Sequence, residues 1–266
     1  MSRFLIALVM MSGILCAESI LDSMTTPSIR AMGRGNAGVA MVQGADGLLS
    51  NPAGLADGGG GIYIYNFDSS EVNTQTHQAT LFHRKSFGVG WRQIQHLDQS
   101  VDVFSVGLGQ SNAGGLTWGI VYKSVQSKTT TSDSKFWTGD FGLMTRLNHH
   151  VKVGVVGQDL IGSKGHPSTP TLQMGGVLEW PQPRIKWVVD ALIQQSQTGM
   201  QAKVRYGLEA PLGPDITLRT GSDNDLYSFG ASLHLGFLIL DYAYQWQRTT
   251  PSNAQAALGF RLGRMQ

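Results

Sequence analysis

The sequence is poor in charge. Only 14% of its 266 residues are Asp, Glu, Lys or Arg, whereas ordinary soluble domains have about 25%. This scarcity excludes a highly charged disordered chain and a long coiled coil. The formal net charge is +2, so no overall field points to nucleic acid as a partner.

Long hydrophobic runs are also scarce. A membrane-spanning helix needs about 20 apolar residues, and the one long run, Phe4–Leu15, is shorter. Because it follows Arg3 and precedes Cys16 and Ala17, we predict a signal peptide at residues 1–17. A lipoprotein with lipid on the cysteine is the less favoured alternative. This cysteine is the only one, so cleavage leaves a mature chain without disulfides.

The sequence is rich in glycine, and its apolar and polar residues alternate over long stretches. It contains 34 glycines, roughly twice the average share. From Gly61 to Gly263, apolar and polar residues alternate in segments of a length suited to tilted membrane-spanning strands. We predict fourteen strands, at residues 62–69, 76–84, 86–95, 101–110, 114–124, 135–147, 150–160, 170–180, 184–194, 200–210, 215–221, 225–234, 237–246 and 254–263.

The two faces of these strands differ sharply. In residues 200–210, Val204 and Tyr206 share one face, whereas Lys203 and Arg205 share the other. A soluble β-sandwich or solenoid would expose this aromatic-rich face to water as a very large apolar patch. The pattern therefore favours an all-β fold: a transmembrane antiparallel up-and-down β-barrel of fourteen strands, in contact with outer-membrane lipid. Four tryptophans are predicted to lie in its interfacial girdles, namely Trp91, Trp137, Trp180 and Trp246.

The connections indicate an orientation. Those after odd-numbered strands are predicted to be longer than those after even-numbered strands, as expected for outer loops and periplasmic turns. An even strand count places both ends of the barrel in the periplasm. A fourteen-stranded lumen is too wide for barrel side chains alone to fill. We therefore predict that residues 18–60 form a small N-terminal plug below the barrel at 61–263, with one short helix over Ser28–Val42.

Three stretches resemble a known family. They are Ser28–Ala40 with Ala45-Asp46 and Asn51-Pro52-Ala53-Gly54-Leu55, the mid-barrel Gly157–Gly162, and the tail Leu240–Tyr244 with Ala257–Gly263. Together they resemble FadL-like outer-membrane proteins, most closely the short PorV-type branch. The resemblance implies a plugged fourteen-stranded barrel whose assembly needs the barrel assembly machinery. It also implies that Asn51, Pro52, Ala53 and Gly54 form a turn where substrate passes the plug.

The resemblance leaves two functions open. Some members of the family take up long-chain fatty acids or aromatic hydrocarbons, and this chain is too short to build the large external binding groove of the fatty-acid transporters. We predict passage of a small hydrophobic or amphipathic molecule through the plugged lumen. The alternative is a PorV-type scaffold or shuttle, which binds secretion-system proteins and transports no small molecule.

The pattern Gly33-x-Gly35-x-x-Gly38 matches a dinucleotide fingerprint by its letters alone, because no buried strand precedes it. Close packing of a plug explains it better. We therefore assign Arg30, Gly33, Gly35 and Gly38 to plug packing.

Other motifs favour structural interpretations. His149-His150 lies in a predicted turn without further metal ligands, and Asp223-Asn224-Asp225 lacks the remainder of a calcium loop. Ser232, His234 and Asp241 point inward, but Ser232 and His234 are spaced too far apart for a nucleophile and its base. We predict no metal, no cofactor and no enzymatic activity.

Inward-facing charges are numerous. They fit either a salt-bridged lumen that holds the plug, which we favour, or a conduit for an anionic head group. The lumen charges we single out are Arg146, Asp190, Arg205, Arg219, Asp241 and Arg261.

Overall fold

A computed structural model describes residues 27–57, 60–69, 75–96, 99–130, 132–164, 168–181, 184–196, 199–247 and 254–263. The predicted signal peptide lies outside these residues. The strands are β1 (Gly61–Ser69), β2 (Gln75–Arg84), β3 (Phe87–His96), β4 (Gln99–Ser111), β5 (Leu116–Thr129), β6 (Asp133–Arg146), β7 (Val151–Gly162), β8 (Thr171–Glu179), β9 (Lys186–Ser196), β10 (Gly199–Leu212), β11 (Ile216–Asp223), β12 (Leu226–Leu235), β13 (Leu238–Gln247) and β14 (Ala254–Gly263).

The strands form one closed antiparallel barrel. Each pairs with its neighbours in sequence, and β1 pairs with β14 from Gly61 opposite Gly263 to Ser69 opposite Gln255. The predicted fold class and strand count are therefore confirmed. Closure leaves no strand edge with unpaired backbone groups, which is what a sheet needs in order to cross a bilayer. No helix among the described residues is both long and apolar enough to cross a membrane.

The outer surface of the barrel is apolar. Large hydrophobic side chains point outward from every strand, for example Leu108, Trp187 and Tyr206, each about half exposed. Water would hydrate such a surface at high cost, whereas lipid chains cover it. The predicted girdle residues Trp137 and Trp246 stack on outward tyrosines, with ring centroids about 6 Å apart.

The connections correct one prediction. We call the end where β1 begins and β14 ends the proximal end, and the opposite end the distal end. The distal connections at residues 97–98, 197–198 and 224–225 contain only two residues each, as short as the proximal turns at 85–86 and 236–237. The predicted length difference is therefore wrong as a general feature. Strand β5 is paired to Thr129, beyond its predicted end at residue 124, and β10 is paired to Leu212, beyond its predicted end at residue 210.

The predicted helix over Ser28–Val42 is much shorter. Helix α1 covers only Ile29–Met32, with the Ser28 side chain accepting a hydrogen bond from the Ala31 N–H. It ends because Gly35 and Asn36 have left-handed backbones, with φ of 66° and 61°. Two 3₁₀ turns follow, at Gly44–Leu48 and Pro52–Ala56. We call residues 27–57 the inner segment, because they lie inside the barrel and are almost all buried.

One irregularity interrupts the ladder. Gly139 pairs with Ile161 and Phe141 with Gly157, so three residues of β7 oppose the single residue Asp140 of β6. Asp159 within this bulge has a φ of 54°, which is unusual for a residue with a side chain. The bulge turns both Gln158 and Asp159 into the lumen, where both are buried. It falls in the stretch Gly157–Gly162 that carried part of the family resemblance.

Glycines in the wall allow the inner segment to approach closely. A Cβ atom on Gly207 would lie 2.5 Å from the Arg34 carbonyl oxygen and 2.7 Å from the Arg34 Cβ. A Cβ on Gly230 would lie 2.9 Å from the Gly33 Cα. The high glycine content is thus partly explained by contacts between backbones inside the barrel.

Replacing Gly207 by Ala is expected to destabilise the protein by about 1–3 kcal/mol, because the added methyl group overlaps the inner segment's backbone. Gly176→Ala is the matched control, since its Cβ would meet nothing closer than the Lys152 carbonyl oxygen at 3.7 Å. It should change the free energy of unfolding by less than about 0.5 kcal/mol. Urea unfolding in lipid vesicles measures both, and equal stabilities would contradict this account of the glycines.

Candidate functional site

The first half of the inner segment, residues 28–39, is held by polar groups of β9–β13. We call it the anchored half. One carboxylate oxygen of Asp190 accepts hydrogen bonds from the Gly38 and Val39 N–H groups, at 2.6 and 3.0 Å. The Gly35 N–H donates to Ser228 Oγ, and the Asn36 amide donates to the Asp223 carboxylate. The Gln245 amide donates to the Met32 carbonyl and to the Asn36 side-chain oxygen.

The strongest attachment is ionic. Arg34 Nη1 donates to Glu209 at 2.9 Å, and the same carboxylate accepts from Arg219 at 2.8 Å and pairs with Lys186 at 3.3 Å. Arg34, Glu209 and Arg219 are all buried. Because a buried charge is costly without its partner, removing Glu209 leaves Arg34 without its carboxylate.

Two further ion pairs lie near this cluster, one on the wall and one within the inner segment. Arg261 donates to Asp241 at 2.6 Å, and Ser232 bridges Asp241 and Arg219. Within the inner segment, Arg30 pairs with Asp46 at 2.7 Å, and the Tyr65 hydroxyl donates to the same carboxylate. Arg30 therefore connects α1 to the first 3₁₀ turn.

The second half of the inner segment, residues 44–56, packs by apolar contact. We call it the packed half. Leu48 and Leu55 are buried and lie against wall glycines of β3 and β4, among them Gly88, Gly107 and Gly109. Its Asp46 pairs with Arg30 inside the inner segment, but its polar contacts with the wall include neutral groups such as Gln158, whose Nε2 donates to the Ser50 carbonyl at 3.2 Å. The two halves are thus fixed by different chemistry.

The residues predicted to form the gate lie at the second 3₁₀ turn. Asn51 caps this turn by accepting from the Ala53 N–H, and its amide donates to the carbonyls of Val39 and Leu143 at 3.0 and 3.2 Å. Pro52, Ala53 and Gly54 form the turn itself and are buried. Asn51 thereby joins both halves of the inner segment to strand β6.

The glycines predicted to pack the plug sit where the backbone comes closest to the wall or to itself. Gly33 faces Gly230, and Gly35 faces Ser222. Gly38 has a φ of 145° and lies against the Arg34 guanidinium. Helix α1 precedes this motif, so the strand that a dinucleotide fingerprint requires is not there.

Five of the six singled-out lumen charges are buried or nearly so and have partners on the wall or the inner segment. They are Asp190, Arg205, Arg219, Asp241 and Arg261. Arg146 differs, because it lies at the proximal mouth with a half-exposed side chain 3.8 Å from Glu179. Its position on the last residue of β6 accounts for this exposure.

An apolar patch lines the lumen near the distal end. It consists of Ile94, Val101, Val103, Val125 and Phe136 on β3–β6, all of them buried. Ile94 lies opposite Val101, and Val125 lies opposite both Val103 and Phe136. We call this group the distal patch. Its side chains pack together inside the barrel on the distal side of the inner segment.

A charged layer separates the distal patch from the packed half. Lys123 Nζ lies 2.9 Å from Asp140 and 2.6 Å from Asp159, the two aspartates at the β6–β7 bulge. A cavity of about 10 Å³ borders Lys123, Arg92 and Leu48. That volume suits about one water molecule.

In the part of the chain that the structure describes, the residues considered for metal binding, calcium binding and nucleophilic catalysis are not arranged for those roles. No group of three or more His, Cys, Asp or Glu side chains is placed there to hold a metal ion. Asp223 pairs with Arg205 at 2.9 Å beside the β11–β12 turn. Ser232 bonds to Asp241 and Arg219, which makes it part of an ion-pair network.

No family model and no curated protein matches the sequence. Solved structures do match. A deltaS2 mutant of the TodX monoaromatic hydrocarbon channel aligns with a TM-score of 0.57 at 10% identity, covering 90% of this chain and 97% of that one. The Pseudomonas putida toluene transporter TodX gives 0.55 at 11% identity, covering 87% and 95%. The outer membrane protein Omp33 of Acinetobacter baumannii gives 0.53 at 5% identity, covering 77% and 98%.

The chain has the barrel fold of TodX. The closed barrel and its apolar outer surface make it an outer-membrane protein. At these identities the likeness concerns the fold, so the function has to be argued from the lumen.

Sequence reasoning did not single out two parts of this site. Arg34 lies within the glycine motif, and the sequence feature that could have identified it is a charged residue surrounded by small ones. Asp159 lies in the bulge. The sequence feature that could have identified it is a break in the alternation of polar and apolar residues, since Gln158 and Asp159 are adjacent and both point inward.

Proposed function

We propose that the protein is a FadL-like outer-membrane transporter that passes a small hydrophobic or amphipathic molecule, with the inner segment as its plug. The proximal end then faces the periplasm. The observation that carries the proposal is the distal patch, a hydrocarbon lining inside the lumen of a TodX-type barrel. An apolar lining favours apolar solutes over sugars and ions.

The layout of the lumen supports a route along β3–β7. The distal patch, the cavity beside Lys123 and the packed half all border these strands. The charged anchor lies on the opposite strands, β9–β13. A solute on this side passes the charged layer at Lys123 and displaces leucine contacts. It leaves the ion pairs of the anchored half intact.

Uptake of N-phenyl-1-naphthylamine tests the proposal, because this dye fluoresces when it passes an outer membrane that otherwise excludes it. Cells that produce the protein should take up the dye faster than cells that do not. Val103→Asp should slow this uptake by about tenfold, because a polar group in the distal patch costs about 1–3 kcal/mol. Val103→Ile keeps the patch apolar and serves as the control.

Two controls make the result specific. Folding of each variant is checked by heat-modifiable gel migration, and entry of polar nitrocefin should not change. Dye uptake equal in Val103→Asp and the unaltered protein would refute a route past the patch. A protein that speeds no uptake and co-purifies with a stable secretion partner would instead support the PorV-type scaffold.

A further inference from the structure

A second cavity opens at the proximal mouth, between the inner segment and the wall. Its volume is about 300 Å³, which is at the lower limit of small-molecule sites. One wall is inner segment, at residues 40–43 and 56–57, and the other is formed by β4–β7. We call it the proximal pocket. It lies on the far side of the inner segment from the distal patch.

The lining of the proximal pocket has an apolar part and a cationic part. Met41, Val42 and Met144 provide apolar and polarisable surface, and methionine side chains adapt to ligands of different shape. Arg146 and Lys152 lie together at another part of the lining. A ligand that satisfies both parts has a hydrocarbon body and one negative group.

The two cations are only loosely engaged by protein groups. Arg146 and Lys152 lie 3.8 and 4.0 Å from the two oxygens of Glu179, beyond the usual hydrogen-bond distance of about 2.7–3.2 Å. Arg146 Nη1 also donates to the His149 carbonyl at 3.3 Å. The remaining guanidinium donors suit a carboxylate, which Arg binds in a bidentate manner.

Asp57 sets the orientation of such a ligand. It belongs to the inner-segment wall of the pocket, where it accepts a hydrogen bond from Gln43 at 3.5 Å. Its negative charge repels a carboxylate from that wall. The ligand carboxylate then competes with Glu179 for Arg146 and Lys152. The hydrocarbon body then lies towards Met41 and Met144.

We propose that the proximal pocket is a binding site for a small amphipathic monocarboxylate. The inference deepens the proposed function and rests on it only for the direction of traffic: the pocket receives the solute after it has passed the packed half. Because the pocket borders Ala56 of the packed half and residues 40–43, an occupied pocket also contacts the packed half and the stretch that joins it to the anchored half.

Binding of benzoate to the protein in phosphatidylcholine nanodiscs tests the site, with benzyl alcohol as the uncharged probe of the same size. Calorimetry should show benzoate binding that weakens about tenfold or more in R146Q/K152Q, because each charge-assisted hydrogen bond contributes about 1.5–3 kcal/mol. Benzyl alcohol should bind more weakly and equally to both proteins. K203Q, which neutralises a lysine of β10 outside the pocket, should keep the benzoate affinity.

The outcomes separate this proposal from the proposed function. Equal benzoate affinity in R146Q/K152Q and the unaltered protein, or no benzoate binding at millimolar concentration, overturns the site. Dye uptake by R146Q/K152Q is measured in parallel and should continue at the normal rate, since the uncharged dye does not need the cations. Loss of benzoate binding in K203Q as well would also overturn the assignment to Arg146 and Lys152.

Discussion

Locking the packed half to the wall is expected to stop dye uptake completely. In L55C/G109C the two new Cβ atoms would lie 2.8 Å apart, and the Cβ on residue 109 would lie 2.4 Å from the Ala56 N. Because a disulfide needs a Cβ separation of about 3.5–4.5 Å, the bond forms once the packed half moves away from β4. If solute passes by displacing the leucines of the packed half, a covalent bond there closes the route. Cys16 is the only native cysteine and lies in the predicted signal peptide, so no native thiol competes in the mature chain.

The disulfide is made and broken in the same sample, which supplies the first control. Oxidised L55C/G109C should show uptake no faster than cells without the protein, and reduction with dithiothreitol should restore it. Q93C/D102C is the matched pair, because Gln93 donates to Asp102 at 3.2 Å between β3 and β4 and lies outside the inner segment. Full uptake by a preparation that is completely oxidised at residues 55 and 109 would show that the packed half does not move.

The alternation of side chains was enough to predict the barrel. Each predicted strand lies within a few residues of an observed one, because a lipid face and a lumen face impose a period of two on every strand. The tail strands show this most clearly, since Tyr242 and Phe260 are exposed to lipid while Asp241 is fully buried in the lumen. Strand ends were predicted less well, since β5 is paired with β4 as far as Thr129 although its predicted end is residue 124.

The local sequence was a poorer guide to the conformation of the inner segment than to the strands of the barrel. The helix predicted over Ser28–Val42 ends after four residues, because Gly35 and Asn36 take left-handed conformations that bring the backbone against Ser222 and Asp223. These contacts join residues almost 190 positions apart, and no periodic pattern encodes them. The pairing of Arg34 with Glu209 has the same origin.

The predicted gate residues lie between these two cases, because their turn could be predicted from the sequence but their contacts could not. The stretch from Asn51 to Gly54 was singled out by family resemblance, and its local chemistry, an Asn cap followed by Pro, already predicts a tight turn. What the sequence does not contain is the reach of the Asn51 amide to Val39 and Leu143. That reach depends on Gly142, which leaves room for the side chain.

The two halves of the inner segment are attached to the wall by different interactions. The anchored half is fixed by buried charges, which are costly to separate in a low-dielectric lumen. The packed half rests on leucine contacts, which a hydrophobic solute replaces with contacts of similar strength. A solute can therefore pass on the β3–β7 side while the segment stays attached on the β9–β13 side.

Replacing Glu209 by Gln is expected to release the anchored half. The change removes the negative charge that Arg34, Arg219 and Lys186 share, and a buried charge left without its partner costs about 3–5 kcal/mol. The hydrogen-bonded ladder of the barrel is not involved, and Arg219 keeps Ser232 and Asp241 as partners. Arg34 of the inner segment loses its carboxylate partner, so the docking of that segment is weakened. Single-channel conductance in planar bilayers should rise, and trypsin should gain access to Arg30 and Arg34.

The exposed turn residue Asp215 provides a control, since Asp215→Asn also removes one negative charge near the barrel end and should change neither readout. The double variant R34M/E209Q tests the mechanism further. Removing the cation together with its carboxylate leaves one fewer unpaired charge, so conductance should fall back part of the way. Conductance of E209Q equal to that of the unaltered protein would mean that this ion pair does not hold the segment. The hydrogen bonds from Asp190 and its neighbours and the apolar contacts of the packed half would then have to hold it.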